Sequence, residues 1–161
     1  FFMQNLTSLD LSSFDTSKVI NMSDMFNSMY AVENIKFSKK FNTSQVENMQ
    51  GMFANLMNIQ EIDLSQADFD TSNVRNFFGM FMYGLTSPSK LQRIYVSASK
   101  DFNTSKAAPT NYPQDINSQI FTNQLLLRGS NGSYAPNPAL ANLSWLRIDR
   151  GAAQPGYFTA K

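Results

Sequence analysis

The chain contains no cysteine and no histidine. Without cysteine it can form no disulfide, thiolate metal site or thiol nucleophile. Without histidine it lacks the commonest general base and metal ligand, which removes Ser-His-Asp hydrolysis and histidine-ligated zinc. An excess of charge is missing as well. The 13 basic and 12 acidic residues leave a net charge of +1, with no basic run among them. Neither nucleic acid nor direct membrane insertion is implied. The longest aliphatic run, Leu125 to Leu127, is far too short to span a bilayer. A signal peptide and an anchor are not recognisable, so any such parts are expected outside this sequence. A cysteine-free chain tolerates an oxidising exterior without requiring one.

Phenylalanine and methionine are abundant instead, at 14 and 9 residues, and most of them fall inside a phrase that recurs. Phe14 to Phe26 reads FDTSKVINMSDMF, Phe41 to Phe53 reads FNTSQVENMQGMF, and Phe69 to Phe81 reads FDTSNVRNFFGMF. A worn copy opens at Phe102 (FNTSK) and closes at Ile120-Phe121 after an insertion. The Met-Phe pair falls at 25, 52 and 80, a period of 27 and then 28. Such a period predicts a stacked array in which each repeat touches mainly its neighbours. Residues 1–124 read as that array: a partial repeat 1–5, repeats at about 6–31, 32–58 and 59–90, and a degenerate one at 91–124. Residues 125–161 read as a cap over the last open core. Met3 precedes Leu6 as Met29 precedes Val32, so Phe1 and Phe2 look like the tail of an earlier turn. The chain is therefore expected to be the C-terminal piece of something longer.

Each repeat begins with a brief alternation: Leu9-Asp10-Leu11-Ser12, Ile35-Lys36-Phe37-Ser38, Ile62-Asp63-Leu64-Ser65 and Ile94-Tyr95-Val96-Ser97. Period two over so short a span predicts half-buried strands, stacked in one parallel sheet. Asp10, Lys36 and Asp63 would then alternate in sign along the ladder. In the second half, Val19, Met22, Met25, Phe26 and Met29 are spaced as one face of a short helix. Val46, Met49, Met52, Phe53 and Leu56 repeat the spacing. The expected fold is thus α/β, built of strand–turn–short-helix coils, with a β-rich C-terminal cap in which Trp145 to Ile148 is a strand. The methionines are expected to be core filler between uneven layers.

Between strand and helix lies an Asp/Asn-Thr-Ser step at residues 15–17, 42–44, 70–72 and 103–105. Such residues bond nearby backbone groups in turns and caps, and stacked copies would form ladders. Calcium binding by Asp15 and Asp70 is disfavoured, because calcium needs six or more converging oxygens. Two insertions, Gly84 to Ser89 and Lys106 to Asp115, interrupt the pattern; a binding loop and simple drift of a terminal repeat explain them equally well. Arg128 to Tyr134 is a glycine-punctuated turn without the lysine and glycine spacing of a phosphate loop. Six N-x-S/T sequons occur, at Asn5, Asn21, Asn42, Asn103, Asn131 and Asn142. Two share a position in the repeat, so the repeat itself generates them.

The stretch Leu6-Thr-Ser-Leu-Asp-Leu-Ser-Ser-Phe-Asp-Thr-Ser-Lys-Val, followed by Asn21-Met-Ser-Asp-Met-Phe, resembles the BspA-like leucine-rich repeat of bacterial surface proteins. That repeat type also occurs in mycoplasma lipoproteins and is common in lactobacilli and related Firmicutes. Leu91 to Ser97, Ile148-Asp149 and Pro155 to Thr159 resemble the segment that closes such arrays. The family often carries Cys shortly after Met-Phe, where this chain has Met29, Leu56 and Gly84. The resemblance implies a leucine-rich-repeat solenoid on the surface of a Gram-positive bacterium. It also implies adhesion to host matrix or mucus, or cell aggregation, and it supplies no catalytic residues.

With adhesion as the expectation, the outward strand positions become candidate contacts: Asp10, Lys36, Asp63, Arg93 and Tyr95, with Tyr112 and Pro113 as loop candidates. The partner would be a host protein or glycan of the collagen, fibronectin or mucin class, or another bacterial cell. A structural spacer without a ligand is the competing expectation. A glycoside hydrolase would need two carboxylates across a cleft, whereas Asp10 and Asp63 are expected to flank Lys36. No catalytic, cofactor or metal residue is assigned.

Overall fold

Four of the alternating stretches form strands, each placing one isoleucine or leucine inward between polar neighbours. They are β1 (Ser8–Asp10), β2 (Asn34–Lys36), β3 (Glu61–Asp63) and β4 (Arg93–Val96). A fifth, β5 (Phe158–Ala160), comes from far along the sequence. The computed structural model describes residues 5–99, 101–107 and 117–161. Ile35, Ile62 and Ile94 are buried, while Asn34, Lys36 and Glu61 are exposed.

The strands do not make one sheet. β1 and β2 pair in parallel as a two-stranded sheet, and β3, β4 and β5 form a separate three-stranded parallel sheet in that order. Between the second and third repeats the ladder is missing at the strands, and other bonds join the repeats. Thr43 N–H donates to the Asp68 carbonyl, and Met49 N–H donates to that of Asn76.

The expected helices do not form either, and the leucine-rich-repeat solenoid expected for this chain is corrected to a small β-rich domain. No α-helix occurs among the described residues; two three-residue 3-10 turns, Pro138–Leu140 and Leu143–Trp145, are the helical content there. The cause lies in the backbone of the Met-Phe segments. Asp24 and Ser28, Gly51 and Asn55, and Gln119 and Asn123 all sit at φ between +56 and +60. A right-handed helix cannot pass through a left-handed residue every fourth position. At Gly51 a side chain would also strike the Asp24 carboxylate.

The N–H groups that a helix would turn along its own axis point sideways instead. Met22, Asp24, Phe26 and Ser28 donate to the carbonyls of Asn48, Gln50, Met52 and Ala54. Met49, Gly51, Phe53 and Asn55 donate in turn to Asn76, Phe78, Met80 and Met82. Tight turns such as Met25 N–H to Met22 O and Met52 N–H to Met49 O supply the spacing of three that resembled a helix face. An apolar period of three to four is met equally by linked turns, so side-chain spacing alone did not separate the two.

The phrase's closing phenylalanines make a ring stack through the core. Phe26 lies 5.3 Å from Phe53, Phe53 lies 5.4 Å from Phe81, and Phe81 lies 5.5 Å from Phe121. The last two pairs are within 5° of parallel, in the range of favourable offset stacking. The opening phenylalanines behave less uniformly. Phe69 stacks on Phe102 at 5.3 Å and Phe41 is fully buried, but Phe14 is half exposed.

The polar step does join one repeat to the next, as expected. Asp15, Asn42, Asp70 and Asn103 each accept the N–H of the residue two positions on. The adjacent buried threonine reaches across. Thr16 Oγ1 donates to the Asn42 carbonyl while accepting Asn42 N–H, and Thr43 does the same with Asp70. These bonds consume the turn carboxylates locally, which fits a structural role over calcium.

The segment after Leu125 is not β-rich. Its one strand, β5, extends the second sheet, and Trp145 closes a 3-10 turn rather than opening a strand. Asn142 explains this by capping: its side chain accepts Ser144 N–H, bending the backbone at the point where a strand would begin. Ile148 retains an isolated bridge to Phe158.

Candidate interaction surface

Each strand residue proposed for contact alternates with an inward one, Leu9, Ile35, Ile62 or Ile94, which turns its own side chain to the opposite face. In the first sheet Asp10 lies opposite Lys36, and their charged atoms meet at 3.0 Å. Both side chains are more than half exposed. Hydrogen bonds from Ser12, reinforced by Lys36, lower the Asp10 pKa to about 2. In water such a pair contributes little stability.

The second sheet carries a denser cluster. Asp63 lies opposite Tyr95, and Tyr95 lies opposite Thr159 of β5. Lys161, just past β5, is held by its backbone N–H to the Val96 carbonyl. From there its ammonium passes over the Tyr95 ring, 4.6 Å from the centroid, and meets the Asp63 carboxylate at 2.7 Å. The Tyr95 hydroxyl donates to Glu61 at 3.1 Å. Arg93 folds back to its neighbour, donating to the Gln92 carbonyl at 2.9 Å.

The electrostatics follow from these contacts. Partial burial pushes the Asp63 carboxyl up, but Lys161 and Ser65 outweigh it and leave the pKa lowered. Burial and the Glu61 carboxylate push the Tyr95 hydroxyl up. The bond to Asp63 raises Lys161. The Tyr95 ring is thus held by a cation over its face and a carboxylate at its hydroxyl, which leaves the side chain little freedom.

The sequence-derived strip is therefore divided. Asp10 and Lys36 come together in one sheet; Asp63, Arg93 and Tyr95 come together in the other. The alternation Asp10, Lys36, Asp63 is corrected, because Asp63 takes Lys161 as its partner and the β2–β3 ladder is absent. Lys161 was missed because it lies 98 residues from Asp63. The brief alternation Phe158-Thr159-Ala160 was the signal that could have placed it in the sheet. Tyr112 and Pro113 lie outside the described residues.

The family model described as "Mycoplasma protein of unknown function, DUF285" matches residues 1–119. No curated protein and no solved structure matches the chain.

Proposed function

This chain belongs to the family of mycoplasma proteins of unknown function DUF285, and from that premise we propose that it is a bacterial cell-surface adhesion module. Its recurring phrase resembles that of BspA-like surface proteins, which supports a proposed site of action outside the cell. The proposed partner is a host protein or glycan of the collagen, fibronectin or mucin class, or the surface of a neighbouring bacterium. No catalytic role is proposed, because Asp10 and Asp63 are each committed to a lysine.

The observation that supports this reading best is the Tyr95 cluster. Tyr95 is part-exposed and held by Lys161 and Glu61, Lys161 being fixed in turn by Asp63, with Arg93 two residues before it on β4. Tyrosine and arginine are enriched where interfaces concentrate their energy. Contact would be made there, with the Asp10–Lys36 pair at the polar rim. The test is a solid-phase panel of collagen, fibronectin, mucin and whole bacterial cells. Arg93→Ala with Tyr95→Ala should weaken capture at least about tenfold, a loss typical of an energetic centre, with the thermal midpoint unchanged. Full binding by that variant would move recognition elsewhere.

One observation favours a second reading. The charges of the strand face neutralise each other, Asp10 with Lys36 and Asp63 with Lys161, which suits a spacer that presents another domain. That reading predicts no capture by this chain on any member of the panel.

A further inference from the structure

Two glycine-containing turns, at residues 129–134 and 151–155, are brought together by one buried carboxylate. Asp149 is 2% exposed. Its Oδ2 accepts the N–H of Asn131 at 2.7 Å and of Ser133 at 3.1 Å. Its Oδ1 accepts the Ser133 hydroxyl at 2.7 Å and Gly151 N–H at 2.9 Å. Between the turns lies an open cleft of about 480 Å³ lined by Asn131, Ser133, Tyr134, Trp145, Gly151 and Pro155, with no charged side chain in its lining.

The two aromatic walls are both supported from elsewhere in the fold. Tyr134 is 54% exposed, yet the Arg128 guanidinium lies 4.5 Å from its ring centroid. Arg128 is in turn anchored to the carbonyls of Leu125 and Leu127. Trp145 rests 4.8 Å from the fully buried Tyr157. Gly132 and Gly151 sit at φ +82 and +84 with open space where side chains would stand, which keeps the rim low.

From this arrangement we infer that the cleft binds an uncharged sugar. A pyranose offers an apolar C–H face for an aromatic ring and an edge of hydroxyls for amides and hydroxyls. The rings of Trp145 and Tyr134 supply the first, and the acceptor oxygens Asn131 Oδ1 and Ser133 Oγ the second, since the Asn131 amide and the Ser133 hydroxyl donate to Asp149. No charged side chain lines the cleft to offset the desolvation of an acidic or sulfated sugar, and Arg128, on the Tyr134 ring, is bonded to the Leu125 and Leu127 carbonyls. Rings held in place before binding lose little freedom on contact. This site is separate from the strand face and does not rest on the adhesion reading made there.

Trp145 is the sole tryptophan of the chain, so its emission reports on the cleft directly. The intact protein is titrated with galactose and N-acetylglucosamine, with sialic acid as the charged comparison. The expected result is a saturable change in Trp145 emission with a neutral sugar, together with reduced quenching by acrylamide. Tyr134→Ala, at an exposed position, should weaken binding at least about tenfold, while Tyr134→Phe keeps it. The double variant Arg93→Ala, Tyr95→Ala should bind the sugar as the parent does. The inference is overturned by no saturable response to either neutral sugar, by a response to sialic acid alone, or by undiminished binding in Tyr134→Ala. Loss of sugar binding in the strand-face double variant would likewise overturn it, by moving the sugar to that face.

Discussion

The repeats and the segment after Leu125 are held together in opposite ways. In the repeats the same contact is made again and again: Phe26, Phe53, Phe81 and Phe121 stack in file, and each phrase hands its N–H groups to the carbonyls of the next. In the terminal segment a single carboxylate, Asp149, gathers turns that share no periodic pattern. Tyr157 closes the boundary between them, its ring 4.7 Å from Phe121 and its hydroxyl accepting Ala135 N–H. Distributed apolar contacts resist damage at any one exposed position but feel a cavity at the centre of the file. A polar hub concentrates its contribution in one side chain and makes it depend on protonation.

That contrast is tested most severely at the middle of the ring stack. Phe53→Ala removes a buried ring that touches Phe26 and Phe81 at once, and should cost about 3–5 kcal/mol, a large part of the ~5–15 kcal/mol of a typical domain. Denaturant unfolding measures it, and a loss below about 1 kcal/mol would show that the file carries little of the stability.

Asp149→Ala should cost less, about 2–3 kcal/mol, because it leaves several part-buried donors without their charged acceptor. Its signature is in pH. Burial raises the Asp149 pKa, but hydrogen bonds from Ser133, Gly151 and Asn131 outweigh this and leave it lowered. A carboxylate lowered in the folded state contributes fully above its unfolded value of about 3.9 and loses that contribution as pH falls through the lower folded value. The thermal midpoint of the parent should therefore hold from neutrality to about pH 4 and drop below it, with a shallower drop in Asp149→Ala. An identical acid profile in both proteins would remove Asp149 from its role as the hub.

The smallest effect is expected at the exposed pair. Asp10→Asn breaks the contact with Lys36 but should leave the unfolding midpoint unchanged, since water screens both partners. A resolvable loss there would mean that surface charge, beyond the ring stack, stabilises the repeats.

Much of the fold was legible because its cause is local. Leu9, Ile35, Ile62 and Ile94 marked the strands because each brief alternation returned in phase with the repeat, whereas Trp145 to Ile148, outside the repeat, formed none. Asp15-Thr16-Ser17 and its copies marked the joining turns, since short polar side chains bond the backbone nearest to them. The Met-Phe segments were misread because spacings of three and four belong to linked turns as well as to helices. The left-handed backbone is hinted at by Gly51, Gly79, Asp24, Asn55 and Asn123, residue types that enter that region most readily, but Ser28 and Gln119 give no such sign. The surface cluster was half legible. Arg93 and Tyr95 follow from strand phase, but the cation over Tyr95 arrives from Lys161, across a separation no local pattern encodes.

By itself the sequence determined that there would be repeats, where their strands and polar turns would fall, and which chemistries were impossible. These follow from side-chain type and from interactions within a few residues. The tertiary structure alone decided that the Met-Phe segments would bond sideways rather than along a helix axis, and that the strands would divide into two sheets. It alone decided that Lys161 would complete the Tyr95 cluster and Asp149 the terminal turns. Each of those outcomes depends on which backbone and charged groups lie adjacent after folding, where removal from water makes every unpaired donor or charge costly.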